Sequence, residues 1–282
     1  MRVAVVIPAH NEQATIGQIV GVACRTWPRV FVVDDGSTDQ TALRAAQSGG
    51  TVLRHETRSG YGSALRSGLE EALKSGFQVV VTLDADGSHD PAESLGLVEE
   101  HLRHGADLTI GSRLLRNESE WFPSSKRAAN RLAASILNTS LGTHLHDVLS
   151  GYRVLGPKVV EGANLSAGFG ATVDLIAYAA DAGLSLHEAG VEVRYDAGEI
   201  YSTACSEIRH FLESCLRLSR EPLRGQIRRL WCLIGVERRI WIVLRRARYV
   251  LHRVNEADGY VVQAQHPWFP PPEGDPIVEL TA

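Results

Sequence analysis

Hydrophobic and polar positions follow two alternating patterns along the first 110 residues of the chain. Short runs rich in β-branched residues, typical of buried strands, are separated by segments with apolar residues at helical spacing. The runs predict strands at Val3 to Ile7, Val30 to Val33, Thr51 to Arg54, Phe77 to Leu83 and Asp107 to Ile110. The intervening segments predict helices at Gln13 to Cys24, Thr41 to Ser48, Gly62 to Ser75 and Pro91 to His104. This alternation indicates an α/β fold, with a mostly parallel central sheet and helices on both faces.

The same kind of pattern continues less regularly over the next 90 residues. It predicts helices at Ser124 to Leu141 and Thr172 to Ala182, and a strand at Val191 to Tyr195. No linker composition separates these elements from the first half, so residues 1–203 are predicted to form one domain. Residues 261–282 include a proline-rich stretch and are expected to form a tail without regular structure.

Composition adds a charge asymmetry to this organisation. The chain has 282 residues, 44% hydrophobic and 22% charged, which is ordinary for a soluble globular protein. Its net charge is −4, yet Glu207 to Arg253 holds twelve arginines against four glutamates. Apolar residues at helical spacing accompany these arginines, and no apolar run reaches the roughly 20 residues needed to span a bilayer. Residues 204–260 are therefore predicted to form a basic, amphipathic helical extension.

Several partners would suit this basic segment, and the sequence leaves them open. An arginine-rich amphipathic helix with Trp231 and Trp241 can lie on an anionic membrane surface. Alternatively, it can pack on the acidic remainder of the chain or on a second subunit of a homodimer. Nucleic acid is not expected as a partner, because no recognised nucleic-acid-binding module accompanies the basic run.

The strongest chemical signal is a pair of carboxylates one residue apart, at the end of a predicted strand. Asp84 and Asp86 directly follow the run from Phe77 to Leu83. Hard cations such as Mg²⁺ and Mn²⁺ take one or two carboxylates from a protein and complete their shell with water and substrate phosphates. The pair therefore favours a metal-dependent site for a diphosphate. The alternative is a polar turn, since Asp, Gly, Ser and Pro are common turn residues.

Other strand ends carry residues suited to the same edge of the sheet. Pro8 and Glu12 follow the first predicted strand, Asp35 follows the second, and Gly60 precedes a helix. Ligands of parallel sheets bind beyond the carboxyl ends of the strands. Glycine also lets a ligand approach the backbone closely, and the free amides at a helix start can face phosphate. We interpret Asp35 as a ligand contact, whereas Asp39 is more typical of a helix cap.

Five ordered motifs together resemble the family 2 glycosyltransferases, in particular the dolichyl-phosphate mannose synthase or polyprenyl-phosphate glycosyltransferase branch. The resemblance extends over residues 2–202 and implies a GT-A fold, a UDP or GDP sugar as donor, a divalent cation and inversion at the anomeric carbon. The motifs are Val6-Ile7-Pro8-Ala9-His10-Asn11-Glu12, Val32-Val33-Asp34-Asp35-Gly36-Ser37-Thr38-Asp39, Asp84-Ala85-Asp86-Gly87-Ser88-His89-Asp90-Pro91, Gly111-Ser112-Arg113 and Asp147-Val148-Leu149-Ser150-Gly151-Tyr152-Arg153.

The resemblance also implies roles for individual residues on the donor side. Asp84 would orient the site, and Asp86 would be the leading metal ligand, with Asp84 as the second. Gly60 would lie close to the nucleotide. The residues expected around the base and ribose of the donor are Pro8, Ala9, Glu12 and Asp35.

On the acceptor side, the resemblance implies that Arg113 and Arg127 contact the phosphate of a lipid-linked acceptor, and Ser150 is a third candidate. An arginine suits this role because its planar cation can bind phosphate in two places. Arg127 can alternatively lie on a solvated helix face. Asp147 and Arg153 complete the catalytic candidates. Asp147 would remove a proton from an alcohol acceptor, or instead orient Arg153 or cap a turn.

Three positions depart from the pattern of the resembling enzymes: Ser88 replaces a glutamine near the metal, Gly190 replaces a proline, and Arg131 replaces a serine. These departures do not change the residues assigned to the donor site, but they weaken the assignment of the acceptor. The expected function is therefore metal-dependent sugar transfer to a polyprenyl phosphate, by a cytoplasmic protein peripheral to the inner face of the cell membrane. Transfer to a soluble or glycan acceptor is the alternative, as is a nucleotide-binding module without catalysis.

Overall fold

The computed structural model describes residues 2–116, 124–168, 170–192, 249–255 and 259–264. These residues belong to two units. The first contains the described residues up to 192. The second contains a pair of antiparallel strands, β8 (Tyr249–Asn255) and β9 (Gly259–Ala264).

Within residues 2–192 as described, seven strands form one sheet. Its order is β3-β2-β1-β4-β6-β5-β7, and β6 is antiparallel to both of its neighbours while the other pairs are parallel. The strands are β1 (Val3–Ala9), β2 (Val30–Asp34), β3 (Thr51–Arg54), β4 (Val79–Thr82), β5 (Leu108–Ser112), β6 (Arg153–Leu155) and β7 (Leu186–Gly190).

Helices cover both faces of this sheet. One face carries α1 (Ile16–Thr26), α2 (Thr41–Gln47), a short 3-10 helix (Pro91–Glu93) and α4 (Ser94–Arg103). The other face carries α3 (Tyr61–Lys74) and α6 (Pro157–Gly162), with α7 (Ala171–Asp181) packed against both and α5 (Ser124–Leu141) against α7. None of the helices in the described ranges has the length and apolar character of a bilayer-spanning segment.

The two faces of the central strand β1 are both buried, which explains its nearly continuous apolar sequence. Successive side chains of a strand point to opposite faces. The odd-numbered residues Val3, Val5 and Ile7 join the core beneath α1 and α4. The even-numbered Val6 packs against Gly68 of α3 instead. A helix on either side thus holds β1 at the centre of the sheet.

The position of the site follows from the strand order. The chain first builds the sheet outward from β1 through β2 to β3 and then returns to place β4 on the other side of β1. At such a switch point the loops after two neighbouring strands diverge, and a crevice opens at their carboxyl ends. The loop after β1 begins at His10, and the loop after β4 contains Asp84 and Asp86.

The predicted fold class is confirmed by this sheet and its helices, and the strands and helices of the first half lie close to their predicted positions. Other elements differ from the predictions. The last described strand of the sheet is Leu186–Gly190, which was not predicted. Of the strand predicted near Val191 to Tyr195, residues 191 and 192 are not in a strand, and residues 193–195 lie outside the described residues. The short β6 was not predicted. Residues 249–255 and 259–264 are strands rather than part of a helical extension or tail.

Other predictions about the C-terminal part concern residues outside the described ranges. These include the amphipathic helix from residue 204 to residue 248 and the tail from residue 265 onward. The boundary of the first domain at residue 203 also lies there and stays a prediction.

Gly68 of α3 packs closely on β1, whereas Gly21 of α1 has open space around it. Substituting alanine at the two positions should therefore change the stability of the fold in opposite directions. A Cβ at Gly68 would lie 2.4 Å from Cγ1 of Val6, whereas a Cβ at Gly21 of α1 would meet no atom within 4 Å. Gly68→Ala should therefore lower the free energy of unfolding by about 1–3 kcal/mol. Gly21→Ala should raise it by about 0.5–1 kcal/mol, because alanine favours a helix. Urea unfolding measures both changes, and equal effects of the two variants would contradict this packing.

Candidate active site

The loops that follow β1 and β2 are braced against each other. Asn11 has a φ of 58°, a left-handed conformation that asparagine tolerates better than most residues. Its backbone N–H donates to Ser37 Oγ at 2.9 Å, and its Oδ1 accepts from the backbone N–H of Thr38 at 2.9 Å. Pro8 and Ala9, two predicted donor contacts, lie buried at the end of β1 directly before this loop. The braces give the donor side of the crevice a fixed wall.

A second set of bonds fixes the start of α2 to the start of α1. Asp39 accepts from the backbone N–H of Thr41 at 2.9 Å and from that of Gln13 at 3.2 Å. Asp39 therefore binds the first residue of α2, although the cap position of this helix is Gln40 rather than Asp39. The hydroxyl of Thr41 in turn accepts from the backbone N–H of Glu12 at 2.8 Å. Glu12, another predicted donor contact, is thereby held half-buried at the entrance to α1.

Asp35, predicted to touch the donor, is almost fully buried at 3% exposure. Its Oδ1 accepts from the backbone N–H of Ser59 at 2.8 Å and lies 2.8 Å from Nδ1 of His55, and its Oδ2 accepts from the N–H of Gly60 at 2.8 Å. Burial raises the pKa of Asp35, but these three partners outweigh burial and leave that pKa below its ordinary value. The carboxylate therefore shapes the Ser59–Gly60 loop.

The turn at Gly60 joins this carboxylate to the acidic pair after β4. Gly60 has a φ of 98°, which glycine adopts readily, and a Cβ there would lie 2.5 Å from the carbonyl oxygen of Ala167. The next residue, Tyr61, begins α3 and directs its hydroxyl toward Asp84 Oδ1, at 3.4 Å. Burial raises the pKa of Tyr61 well above its ordinary value, so the phenol stays protonated and can donate.

Asp84 and Asp86 occupy the loop after β4, as predicted from the sequence. The side chain of Asp84 is 27% exposed, and Asp86 is exposed. Oδ1 of Asp86 accepts from the backbone N–H of Ser88 at 2.9 Å. A Cβ at Gly151 would lie 2.2 Å from one oxygen of Asp84 and 2.3 Å from the other, so only glycine leaves room for this carboxylate.

These two residues fit a hard divalent cation. Both are carboxylates, both reach solvent at the crevice, and phosphate oxygens of a ligand can complete the shell of such an ion. Asp84 and Asp86 would hold Mg²⁺ or Mn²⁺ here.

His89 is a site residue that the sequence reasoning missed. It lies three positions after Asp86, with Nε2 3.9 Å from Asp84 Oδ2 and its ring 5.1 Å from that of Tyr152. Burial, followed by the positive charge of Arg113, lowers the pKa of His89 to about 4. The sequence did contain a signal for this role. His89 is an ionisable residue within the turn from Asp84 to Pro91, where an uncharged residue would be enough to form a turn.

Arg113 and Asp147 form a two-pronged ion pair on the other side of the crevice. Nε of Arg113 donates to Asp147 Oδ2 at 2.7 Å, Nη2 donates to Oδ1 at 2.8 Å, and the backbone N–H of Arg113 donates to Oδ2 at 2.9 Å. Asp147 has no exposed surface. Burial raises its pKa, but Arg113 outweighs burial and holds that pKa below its ordinary value. Asp147 thus orients Arg113, rather than Arg153.

Glu188 on β7 anchors the turn that carries Asp147, a role that sequence reasoning did not assign to it. Its Oε1 accepts from the backbone N–H of Asp147 at 2.8 Å. Its Oε2 accepts from the backbone N–H of His146 at 2.8 Å and lies 2.9 Å from Nδ1 of that ring. Glu188, on an edge strand of the described sheet, therefore fixes Asp147, and Asp147 in turn orients Arg113.

Arg153 and Ser150 lie beneath the crevice rather than in it. The guanidinium of Arg153 donates to the carbonyl oxygens of Ser150, Val148 and Thr172. The residue is 1% exposed, and burial lowers the pKa of Arg153 to about 10. Ser150 has no exposed surface, and its Oγ accepts from the backbone N–H of Tyr152 at 3.3 Å. Both predicted site residues therefore shape the loop between Asp147 and Arg153. The remaining acceptor candidate, Arg127, lies half-buried on α5.

A second group of metal-ligating side chains lies on α4 and β7, apart from the acidic pair. It consists of Glu100, His104 and His187, whose ligand atoms all lie within 4.8 Å of one another. The two imidazole rings stack at 3.9 Å between their centres. A nitrogen lone pair lies in the plane of its ring, and these two planes are only 20° apart, so one ion does not lie close to both planes in this arrangement.

Comparison with known proteins gives a family match and related enzymes. Residues 4–161 match the family model of glycosyl transferase family 2. The chain is 32% identical to a polyprenol monophosphomannose synthase of Mycolicibacterium smegmatis over 242 residues, 81% of this chain and 89% of that protein. It is 35% identical to an undecaprenyl-phosphate mannosyltransferase of Micrococcus luteus over 188 residues, 62% of this chain and 76% of that protein.

Among solved structures, the fold is similar to that of glucosyl-3-phosphoglycerate synthase of Mycobacterium tuberculosis. The TM-score is 0.63 at 24% identity, over 77% of this chain and 80% of that chain. Another crystal structure of that synthase contains Mn²⁺ and UDP, with a TM-score of 0.62 at 20% identity over 94% of this chain and 86% of that chain. At these identities the likeness concerns the fold, which is the predicted GT-A fold.

The role of Asp35 as an internal anchor predicts a pH-dependent loss of stability. Because the pKa of Asp35 is lower in the folded chain than in the unfolded chain, its charged form stabilises the fold above about pH 4, and this contribution is lost as pH falls through the folded pKa. Asp35→Asn should lower the free energy of unfolding by about 1–3 kcal/mol at neutral pH. The difference from the wild type should narrow toward about pH 3.

Urea unfolding across this pH range measures the effect, and Asp181→Asn at the exposed end of α7 is the control. A difference between Asp35→Asn and the wild type that stays constant with pH would contradict the anchoring role.

Proposed function

Because the chain belongs to glycosyl transferase family 2, and is therefore a nucleotide-sugar glycosyltransferase, we propose that it transfers a sugar from a nucleoside diphosphate to the phosphate of a polyprenyl lipid. The observation that carries this proposal is the geometry of the crevice. Asp84 and Asp86 are accessible carboxylates, and Arg113 is held in place by the buried Asp147. Both groups lie near His89, because Asp84 Oδ2 is 3.9 Å from its Nε2 and, after burial, the charges of Arg113 and Asp86 act on the pKa of His89. The names of the two related enzymes, which act on polyprenol and undecaprenyl phosphate, support the lipid acceptor.

The donor binds on the side built from the loops after β1, β2 and β4. Glu12 and the edges of Pro8 and Ala9 contact its base and ribose. The Gly60 turn, shaped by Asp35, approaches the nucleotide closely. Asp84 and Asp86 would hold Mg²⁺ or Mn²⁺, which would supply positive charge to offset the negative charge that develops on the departing nucleoside diphosphate.

The acceptor phosphate binds on the opposite side, at Arg113 and Arg127. Arg113 enters this contact already oriented, because two of its nitrogen atoms are bonded to Asp147. Orientation in advance reduces the entropy lost when the phosphate binds. A guanidinium is also well matched to two oxygens of one phosphate.

Proton removal is the step that separates a phosphate acceptor from an alcohol acceptor. An alcohol needs a base near its hydroxyl, whereas a phosphate oxygen is already anionic and can attack the sugar carbon directly. Asp147, the candidate base, is buried, accepts from Arg113 through both oxygens and has a lowered pKa. These properties suit an orienting carboxylate and favour the anionic acceptor. Attack from the face opposite the leaving diphosphate inverts the anomeric carbon.

The cellular setting belongs to the same proposal. A polyprenyl phosphate lies in a membrane, so the protein would work as a peripheral enzyme at the cytoplasmic face. The basic segment after residue 203 suits an anionic membrane surface. Membrane binding and a homodimer both depend on residues outside the described ranges and stay predictions.

Transfer to extracted lipid tests the acceptor directly. Purified protein is incubated with polyprenyl phosphate, Mn²⁺ or Mg²⁺ and a panel of radiolabelled UDP and GDP sugars. We expect one donor to deliver label to the organic-extractable fraction in a metal-dependent way. Label that enters only water-soluble products would show that the acceptor is a soluble compound or a glycan. Nucleotide binding without turnover of any donor would indicate a binding module.

Asp86→Asn should lower kcat by about 100-fold or more, because the variant loses charge stabilisation at the leaving group. Its free energy of unfolding should change by less than about 0.5 kcal/mol, since Asp86 is exposed. Glu99→Gln, an exposed position on α4, is the matched control and should keep full activity. An active Asp86→Asn enzyme would contradict the metal site.

Asp147→Asn distinguishes an orienting residue from a base. Asparagine keeps one oxygen for Arg113 but lacks the charge. If Asp147 orients Arg113, the KM for polyprenyl phosphate should rise by about 10-fold while kcat falls by less than about 3-fold. Steady-state kinetics with lipid acceptor and saturating donor measure both constants. A collapse of kcat at unchanged KM would instead assign Asp147 as the base.

A further inference from the structure

His89 is a buried polar side chain whose hydrogen bonds are not satisfied. Its side chain has no exposed surface, and neither ring nitrogen has a hydrogen-bond partner among the described residues. Leaving a buried nitrogen unpaired destabilises the fold relative to a nitrogen that is hydrogen-bonded. Such a group in a folded protein calls for an explanation, and a common one is that its partner arrives with the ligand.

The surroundings of the ring indicate which partner this is. One face packs near Tyr152, with 5.1 Å between ring centres. Nε2 is 3.9 Å from Asp84 Oδ2, about 1 Å beyond hydrogen-bond distance. Asp84 is one of the two carboxylates assigned above to the cation. A carboxylate oxygen close to Nε2 of His89 therefore belongs to a proposed metal ligand.

Two of the contacts around the Asp84 carboxylate are long. The hydroxyl of Tyr61 is 3.4 Å from its Oδ1, and Nε2 of His89 is 3.9 Å from its Oδ2. Both distances are long for a hydrogen bond. Bonds around a catalytic group are often long in the unliganded protein and tighten when the ligand is bound. Gly151 limits the carboxylate on a third side, so that only a small movement is open to it.

We propose that His89 is the positioning residue for Asp84, donating a hydrogen bond from Nε2 to Asp84 Oδ2 when the cation and the donor diphosphate bind. The carboxylate then presents its other oxygen to the ion in a fixed orientation. This inference rests on the proposed function, because it assigns Asp84 to the cation. It gives a role to a residue that the acidic motif contains but to which no role was assigned above.

Mn²⁺ affinity tests the inference without turnover. Electron paramagnetic resonance of free Mn²⁺ is recorded with the full-length protein, using UDP and GDP in turn as probes. His89→Phe keeps an aromatic ring against Tyr152 and removes the N–H, whereas His89→Gln places an amide N–H near the position of Nε2. Residues that orient a metal ligand typically contribute about 10- to 100-fold to affinity. We expect a loss of this size for His89→Phe, and less than about 3-fold for His89→Gln.

A second readout follows the hydrogen bond itself. In protein labelled with ¹⁵N-histidine, the imidazole N–H of His89 is assigned by its absence in His89→Gln. Adding Mg²⁺ and the nucleoside diphosphate should move this proton signal downfield, as a new bond to a carboxylate requires. A merely structural ring would show no such ligand-dependent shift. If His89→Phe fails to fold, this spectrum decides the question on the wild type.

Two control variants separate failure of the inference from failure of the proposed function. His187→Gln alters the group on α4 and β7 and should leave nucleotide-dependent Mn²⁺ binding unchanged. Asp86→Asn should abolish that binding. If His89→Phe binds Mn²⁺ as tightly as the wild type while Asp86→Asn does not, His89 has no positioning role and the metal site stands. If Asp86→Asn also binds normally, the metal site is itself wrong.

Discussion

The structure around the crevice depends on one constraint: a carboxylate taken out of water must be paired. Removing such a charge from solvent costs several kcal/mol unless donors replace the water. Asp35 is paired by two backbone N–H groups and His55, and Asp147 by Arg113. Asp34 accepts from the backbone N–H of Ser37 and lies 3.1 Å from the guanidinium of Arg54. Each buried acid thereby fixes a loop at the carboxyl edge of the sheet.

This constraint divides the acids of the crevice into two groups. Those that are fully buried shape the loops, and their pKa values, where shifted, lie below the ordinary value. The two that reach solvent, Asp84 and Asp86, are the ones whose geometry suits a cation. Sequence spacing alone does not reveal this division, because the buried Asp34 and the partly exposed Asp84 both directly follow an apolar run rich in valine. The division of the acids into these two groups depends on burial, and burial depends on how the loops fold over the end of each strand.

The sequence was informative where the pattern is local. Strands buried on both faces give continuous apolar runs, which located β1, β2 and β4. The sequence pattern failed to predict the elements that form only because they pair with a distant strand. The strand β7 has the polar sequence Leu-His-Glu-Ala-Gly and exists because it pairs with β5, whereas the more β-branched segment after it was predicted instead. The three-residue β6 lies inside a motif that had been interpreted chemically. Partners such as Arg113 for Asp147 are 34 residues apart in sequence, so no spacing rule indicates them.

The motif from Ser150 to Arg153 contributes to the site through contacts with residues around it. Gly151 leaves room for the Asp84 carboxylate, and its carbonyl accepts from the hydroxyl of Thr82 on β4 at 2.6 Å. Tyr152 lies against His89, and its hydroxyl donates to the carbonyl oxygen of Asp90. Arg153 ties the loop to three carbonyl oxygens.

Gly151 and Tyr152 thus contact the turn that carries the acidic pair, and Arg153 holds the loop on which these two residues lie. A substitution in this motif would therefore act on the proposed donor site by moving Asp84, although no side chain of the motif need touch a substrate. The antiparallel strand β6, which places the motif beside β4, is the element of the fold that makes this support available.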